Sequence, residues 1–138
     1  MSKYIDKRGI SLELAQQVAA AAVAHATEMG GAFTVVVVDD TGVTKVASRM
    51  DGAALSSLHA ATNKAYSAIA TGFSTKEWFD FTAADPQMAA GAQGMERLML
   101  FEGGLLIEVD GHRIGAIGVS GGHYSQDTAV AEAGLAVV

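Results

Sequence analysis

The sequence predicts an α+β fold in which two β-hairpins form one antiparallel sheet and helices pack against that sheet. Apolar residues recur at helical spacing in some segments and form short β-branched or alternating runs in others, giving the order α-ββ-α-α-ββ-α. This order lacks the strand-helix-strand alternation that builds a parallel sheet. Since 138 residues with 50% hydrophobic content can bury one ordinary core, we predict a single domain over 1–138.

The first helix is predicted over residues 11–29. Ser11 is a suitable N-cap, and apolar residues recur at helical spacing until a Gly-Gly pair ends the helix. A hairpin follows it. The β-branched run over 33–38 is too short for a helix, and the alternating run over 43–49 is separated from it by the turn residues 40–42.

The second helix is predicted to begin at Asp51 or Gly52 and to end near Thr71. Its larger residues recur at helical spacing, so we expect one apolar stripe to pack against its neighbours. That stripe consists of Leu55, Leu58, Thr62, Tyr66 and Ile69. After this helix, Ser74 and Glu77 have the spacing of a capping box, which predicts a short third helix.

The second half of the chain begins with a segment of weak periodicity. We predict a loop containing at most a helical turn, and a mobile lid, over residues 82–97. Strand character returns at residues 98–101, and the runs on either side of an Asp110-Gly111 turn form a second hairpin that ends near Ser120. A last helix is predicted over residues 124–135.

Composition excludes several classes of function. The chain has nine Lys and Arg against 15 Asp and Glu, for a net charge of -6, so no basic surface is available for nucleic acid. It has no cysteine, which excludes disulfides and thiolate chemistry. The histidines lack the paired spacing of metal sites, and we predict none. Without a long apolar stretch or a secretory signal, we expect a cytoplasmic protein with no membrane partner.

A candidate site lies where the first hairpin ends and the second helix begins. Arg49, Met50 and Asp51 stand at the strand end, and Lys64 lies about three turns into the helix. We expect both cations to face one crevice between the sheet and the second helix, where they bind an anionic small molecule. Lys64 is also a candidate catalytic amine, and an ion pair with Asp51 or Glu96 is the alternative.

Three histidines are further candidate site residues, because imidazole can both transfer protons and bind metals. His25 and His59 fall on apolar helical faces, which predicts buried, hydrogen-bonded core residues, with a ligand role as the alternative. His123 follows Gly121 and Gly122 at the junction of the last strand and the last helix. Because helix-terminal amides attract anions, His123 and the two glycines are candidates for ligand contact, and His123 is a candidate catalytic residue.

Several motifs together resemble the haem-binding HbpS/GlcG family, which includes the C-terminal domain of PduO-type proteins. The likeness covers nearly the whole chain, and the combination of its first and last motifs is specific to that family. The motifs are R-M-D-G-A at 49–53, N-K-A-Y-S at 63–67, F-S-T at 73–75, F-E-G-G at 101–104 and D-G-H-R-I-G-A-I-G-V-S-G-G at 110–122.

The resemblance implies a compact α+β domain that assembles as a homo-oligomer and binds haem in some members. Haem is therefore the candidate cofactor, with the propionates held by Arg49 and Lys64. By chemistry and position, the candidate iron or haem contacts are His25, His59 and Ser67. Other members of the family belong to small-molecule catabolic pathways, so the resemblance leaves the activity open.

Two other functions stay open. In the first, the protein is a cofactor-independent lyase or isomerase in which Arg49 holds a small carboxylated compound, with an aromatic one as an option, and Lys64 or a histidine moves the proton. In the second, it is an accessory protein with no small-molecule ligand. All three functions share one expectation: Ala-rich helices and a mean hydropathy of +0.27 leave apolar surface that self-association would cover.

Overall fold

A four-stranded antiparallel sheet forms the centre of the molecule. The computed structural model describes residues 1–138. The strands are β1 (Thr34–Asp39), β2 (Thr44–Arg49), β3 (Gly104–Val109) and β4 (His112–Ser120). Their order is β2-β1-β4-β3, so the two hairpins join through β1 and β4. The predicted α+β class with its two-hairpin sheet is confirmed.

Five helices accompany the sheet, one more than the sequence predicted. They are α1 (Leu12–Glu28), α2 (Leu55–Thr71), α3 (Thr75–Ala83), α4 (Pro86–Gln93) and α5 (Tyr124–Leu135). The predicted caps are confirmed at α1 and α3, since Ser11 and Ser74 each accept a backbone hydrogen bond at 3.1 Å. None of the helices combines the length and the apolar character that crossing a bilayer requires.

The sheet separates two hydrophobic layers. On one face, α1 and α5 pack together over Val35, Val37 and Ile117. On the other face, α2 packs over Val36 and Val38. The central strand β1 is therefore covered on both sides, and this explains why its sequence is a continuous β-branched run instead of an alternating one.

Helix α2 contacts the sheet mainly through small residues, so the predicted stripe is wrong except at Ile69, which packs against the same cluster. Ala61 and Ala65 are fully buried, whereas Leu55 and Leu58 are 86% and 39% exposed. Gly118 of β4 permits the short distance, because a Cβ atom there would overlap the carbonyl oxygen of Ala61. At such a close approach alanine fits the contact, and leucine is excluded from it.

The start of α2 also differs from the prediction. Asp51 is exposed and belongs to a turn, in which the amide of Ala53 donates to the carbonyl of Met50 at 3.0 Å. Gly52 has a φ of 84°, which a helical residue cannot adopt. The N-cap position falls to Ala54, whose side chain makes no capping hydrogen bond. Asp51 is therefore a turn residue and not a helix cap.

The segment 82–97, predicted as a loop with at most a helical turn, contains the two-turn helix α4. Asp85 caps the helix, because its carboxylate accepts hydrogen bonds from the amides of Gln87 and Met88 at 2.8 and 3.2 Å. Pro86 occupies the first turn. Only Ala92 of this helix is buried. A short helix with one small anchor produces little apolar periodicity, so its sequence resembles a loop.

The strand predicted at residues 98–101 is also wrong, since α2 provides the partners of this connection. Ser67 Oγ accepts from the amide of Met99 at 2.7 Å and lies 3.0 Å from the carbonyl oxygen of Arg97. Arg97 has a φ of 65°, and its guanidinium lies 3.7 Å from the centre of the Tyr66 ring. The hydroxyl of Ser67 therefore forms the hydrogen bonds with this backbone that a neighbouring strand would otherwise form.

The first hairpin turns at the predicted residues and is held by Asp39. Its carboxylate accepts from the hydroxyl of Thr41 at 2.7 Å and from the amides of Thr41 and Val43 at 2.8 and 3.2 Å. Burial raises the pKa of Asp39, but these hydrogen bonds and the charge of Lys45 outweigh it, and the pKa lies below its ordinary value.

Candidate functional site

A buried ion pair joins α2 to α5 at the end of β4. Lys64 Nζ lies 2.8 Å from Asp127 Oδ2 and donates to the carbonyl oxygen of Val119 at 2.9 Å, and both charged side chains are only 3% exposed. The second carboxylate oxygen of Asp127 accepts from the amide of Gly122 at 3.0 Å. Because neither charge reaches water, each depends on the other. The predicted ion pair of Lys64 is thus formed with Asp127, and not with Asp51 or Glu96 as the sequence suggested.

Two glycines allow the chain to pass close to this ion pair. Gly103 has a φ of 122°, and a Cβ atom there would lie 2.6 Å from the carbonyl oxygen of Val119 and 3.0 Å from Lys64 Nζ. At Gly104 a Cβ atom would overlap the carbonyl of Lys64. The F-E-G-G motif therefore has a packing role, which is to bring β3 against the lysine.

A cavity of about 320 Å³ borders the ion pair. Its walls combine the two charged residues with aromatic and thioether side chains from three separate segments of the chain. The principal lining residues are Lys64, Met99, Phe101, His123, Tyr124 and Asp127. The cavity thus offers apolar walls, one imidazole and the N-terminal end of α5 within a single space.

His123 is the N-cap of α5 and is exposed. Its Nδ1 accepts from the amide of Ser125 at 3.3 Å and lies 2.8 Å from Ser125 Oγ, and the amide of His123 donates to Gln126 Oε1 at 3.0 Å. The ring packs on Tyr124, with 3.9 Å between the centroids. The imidazole is therefore fixed through its Nδ1 side, and Nε2 has no hydrogen-bond partner in the protein.

A second, more apolar cavity of about 350 Å³ adjoins the first, because Phe101 and Tyr124 line both. We call the two together the aromatic groove. Phe79 and Leu100 complete the apolar walls of the second cavity, and its polar rim consists of Lys76, Asp80 and Glu102. Phe101 and Tyr124 are 61% and 45% exposed, so the surface available to a ligand is large and aromatic.

The rim of the aromatic groove carries one cation. Lys76 lies 2.8 Å from Asp80, one turn away on α3. The hydrogen bond to Asp80 and its negative charge raise the pKa of Lys76, so the amine stays protonated. Since both side chains are more than half exposed, this pair is weak and Lys76 can turn towards another anion.

The remaining histidines lie away from the aromatic groove. His59 was predicted to be buried but is exposed, and its Nε2 is 3.1 Å from Asn63 Nδ2. His25 is half-buried in the last turn of α1, and neither residue lines a cavity. No group of three or more His, Asp and Glu side chains is arranged to hold a metal ion.

Arg49 and Lys64 do not share a cavity, in contrast to the predicted crevice. Arg49 and Met50 line a space of about 420 Å³ between β2 and α1, and Arg49 Nη1 lies 3.4 Å from the carbonyl of Ala53. Lys64 lines a different cavity, to which Arg49 and Met50 do not contribute. Residues 49–51 are therefore separated from the groove that contains Lys64 and His123.

Sequence reasoning missed the residues that distinguish the groove. Asp127 is 63 positions from Lys64, and Phe101 and Tyr124 come from segments whose proximity depends on the sheet. One signal was present. A buried lysine requires a carboxylate, and Asp127 is the acidic residue in the first turn of a helix that begins next to the end of β4.

A family model for haem-degrading HbpS-like proteins matches residues 10–136, which is almost the whole chain. The chain belongs to the HbpS-like family. Among relatives of this HbpS-like chain, a 15.0 kDa protein of the dhaT-dhaS intergenic region in Citrobacter freundii is 37% identical over 140 residues. The alignment covers 98% of this chain and 96% of that relative. The family predicted from the motifs is confirmed.

Two solved structures extend the comparison. The ORFY protein of Klebsiella pneumoniae has a TM-score of 0.92 and 37% identity, covering 99% of this HbpS-like chain and 94% of the other. The structure of a PduOC:heme complex has a TM-score of 0.86 and 30% identity, covering 94% of this chain and 95% of the other. The fold of this chain is thus one on which a relative binds haem.

Proposed function

We propose that this protein binds haem or a closely related tetrapyrrole in the aromatic groove. The single observation that carries the proposal is the groove itself, an exposed aromatic surface in a chain whose fold matches that of a haem complex. The site lies alongside α2, where β4 ends, and not beneath α2. The small residues of α2 leave no space beneath the helix.

The residues present fit a porphyrin. The groove provides the apolar contacts that a macrocycle needs. Its aromatic walls are Phe79, Phe101 and Tyr124, and Leu100 adds an aliphatic one. The two adjoining cavities of about 350 and 320 Å³ are each within the range of small-molecule sites. When bound, haem supplies an iron centre for redox or ligand chemistry, while the protein supplies binding and orientation.

Lys76 is the cation best placed for a propionate. Its ammonium is exposed on the rim, and its pairing with Asp80 is easily exchanged. Lys64, which the sequence also suggested for this role, is fully engaged by Asp127 and Val119. The same pairing argues against Lys64 as the proton carrier of a lyase or isomerase, so the binding function is the better supported of the two.

A titration with haemin tests the proposal. We expect the purified protein to give a saturable, shifted Soret band, and Phe101→Ala to weaken haemin binding about tenfold because truncation removes an aromatic wall. Phe81→Ala is the matched control, since Phe81 is 49% exposed but lines neither cavity of the groove. A spectrum equal to that of free haemin at every ratio would end the proposal.

A further inference from the structure

We infer that His123 is the iron ligand when the aromatic groove holds haem, an inference that rests on the proposed function. His123 is the one histidine of the four that lines any cavity, and that cavity shares Phe101 and Tyr124 with the rest of the groove. The imidazole therefore borders the surface on which a porphyrin would lie. Neutral imidazole is a common protein ligand for haem iron.

Ser125 provides a hydroxyl that can support the ring in the tautomer that binds iron. A histidine that binds a metal through one nitrogen usually donates its other N–H to a fixed acceptor, which sets the tautomer and raises the basicity of the ligating nitrogen. Ser125 Oγ lies 2.8 Å from His123 Nδ1, and a hydroxyl can accept such a bond. Ligation through Nε2 therefore places the ring proton on Nδ1, which donates to Ser125 Oγ in place of accepting the longer 3.3 Å bond from the Ser125 amide. In that tautomer the lone pair is on Nε2, the nitrogen without a protein partner.

The position of the imidazole is fixed before any ligand arrives. Packing on Tyr124 and the backbone hydrogen bond from His123 to Gln126 hold both the ring and its main chain. Because side chains that are already ordered lose little freedom on binding, this arrangement favours affinity. The exposure of the ring leaves Nε2 accessible from the groove.

The other donors near the groove are engaged or differ in chemistry. Lys64 and Asp127 neutralise each other, and His59 lies outside the groove with its Nε2 against the amide nitrogen of Asn63. Met99 lines the same cavity as His123 and carries a thioether, which is the competing iron donor. The test must therefore separate His123 from Met99.

The decisive variant is His123→Asn, because asparagine preserves an N-cap for α5 while removing the imidazole. We expect the affinity of this variant for haemin to fall by about tenfold or more. Loss of the ligand itself should cost at least as much as loss of a residue that only orients a ligand. Its ferric spectrum should lose the histidine-ligated form, and added imidazole should restore that form. His59→Asn and Met99→Leu should both keep the wild-type spectrum.

Iron-free protoporphyrin IX separates this inference from the proposed function. The wild type and His123→Asn should bind it within about twofold of each other, because Phe101 and Tyr124 remain and protoporphyrin has no iron for the imidazole to bind. Equal haemin spectra for the wild type and His123→Asn would overturn the assignment, as would a change confined to Met99→Leu. Parallel loss of haemin and protoporphyrin in His123→Asn would also overturn it. If the wild type bound neither compound, the proposed function itself would fail.

Discussion

Among single residues, one buried ion pair determines how the wall of the aromatic groove is built. Lys64 and Asp127 are each 3% exposed in their side chains, and together they fix the end of β4 against α5. The pair therefore positions the wall of the groove instead of supplying a free charge to it. A buried pair adds little stability relative to apolar residues, but removal of one partner leaves an uncompensated charge.

Removal of either member of this pair should be strongly destabilising. We expect Lys64→Met and Asp127→Asn each to lower the free energy of unfolding by about 3–5 kcal/mol, measured by urea denaturation. The double variant should lose clearly less than the sum of the two single losses, since it leaves no orphaned charge. Small, additive losses would show that the two side chains do not interact in the folded protein.

At the scale of elements, the sequence predicts what local chemistry controls. Ser11 and Ser74 begin helices where their caps indicate, and the Asp110-Gly111 turn closes the second hairpin between β3 and β4. The predictions that fail depend on contacts between residues far apart in the sequence. Leu58 is excluded from the sheet because Gly118, far along the chain, brings α2 too close for a large side chain.

The groove was only partly predictable for the same reason. His123 was identified because its position before a helix is a local feature. Phe101 was assigned to a strand, and its true place follows from hydrogen bonds between the preceding connection and Ser67. Asp127 becomes visible as a partner only when the sheet has placed α5 beside α2.

The close packing of α2 on β4 gives a direct test. Gly118→Ala would place a methyl group against the carbonyl of Ala61 and the amide of Ala65, so we expect a loss of about 1–3 kcal/mol or more. Gly91→Ala is the matched control, because that helical position has no neighbouring atom within 4 Å. The control should gain up to about 1 kcal/mol from helix propensity. Equal effects of the two substitutions would contradict the packing.

The first hairpin provides a pH-dependent test. The pKa of Asp39 is below its ordinary value in the folded protein, so its stabilising contribution is present above the unfolded value and is lost as pH falls through the folded one. Asp39→Asn should therefore be less stable at neutral pH by about 1–3 kcal/mol, and the difference should shrink below about pH 4. A constant difference down to pH 2 in thermal melts would exclude this role.

At the scale of the whole molecule, apolar surface remains uncovered. Large apolar residues are exposed on several elements, among them Leu55 at 86%, Val43 at 62%, Met95 at 51% and Phe81 at 49%. A domain of this size seldom exposes so many without a partner surface. We therefore propose that the protein forms a homo-oligomer with closed symmetry.

Sedimentation at micromolar concentration checks this proposal. The monomer mass is 14.1 kDa, and we expect a boundary at a multiple of it, because burial of the exposed leucine and aromatic side chains favours association. Leu55→Glu tests the most exposed of these four side chains directly and should shift the boundary towards lower mass if α2 forms part of the interface. A strictly monomeric wild type would refute self-association.

A crystal structure of the protein with haemin would show whether the aromatic groove is where a tetrapyrrole binds. We expect porphyrin density against Phe101 and Tyr124, with iron facing His123. Haemin density between β2 and α1 beside Arg49, with the groove left to solvent, would contradict this expectation.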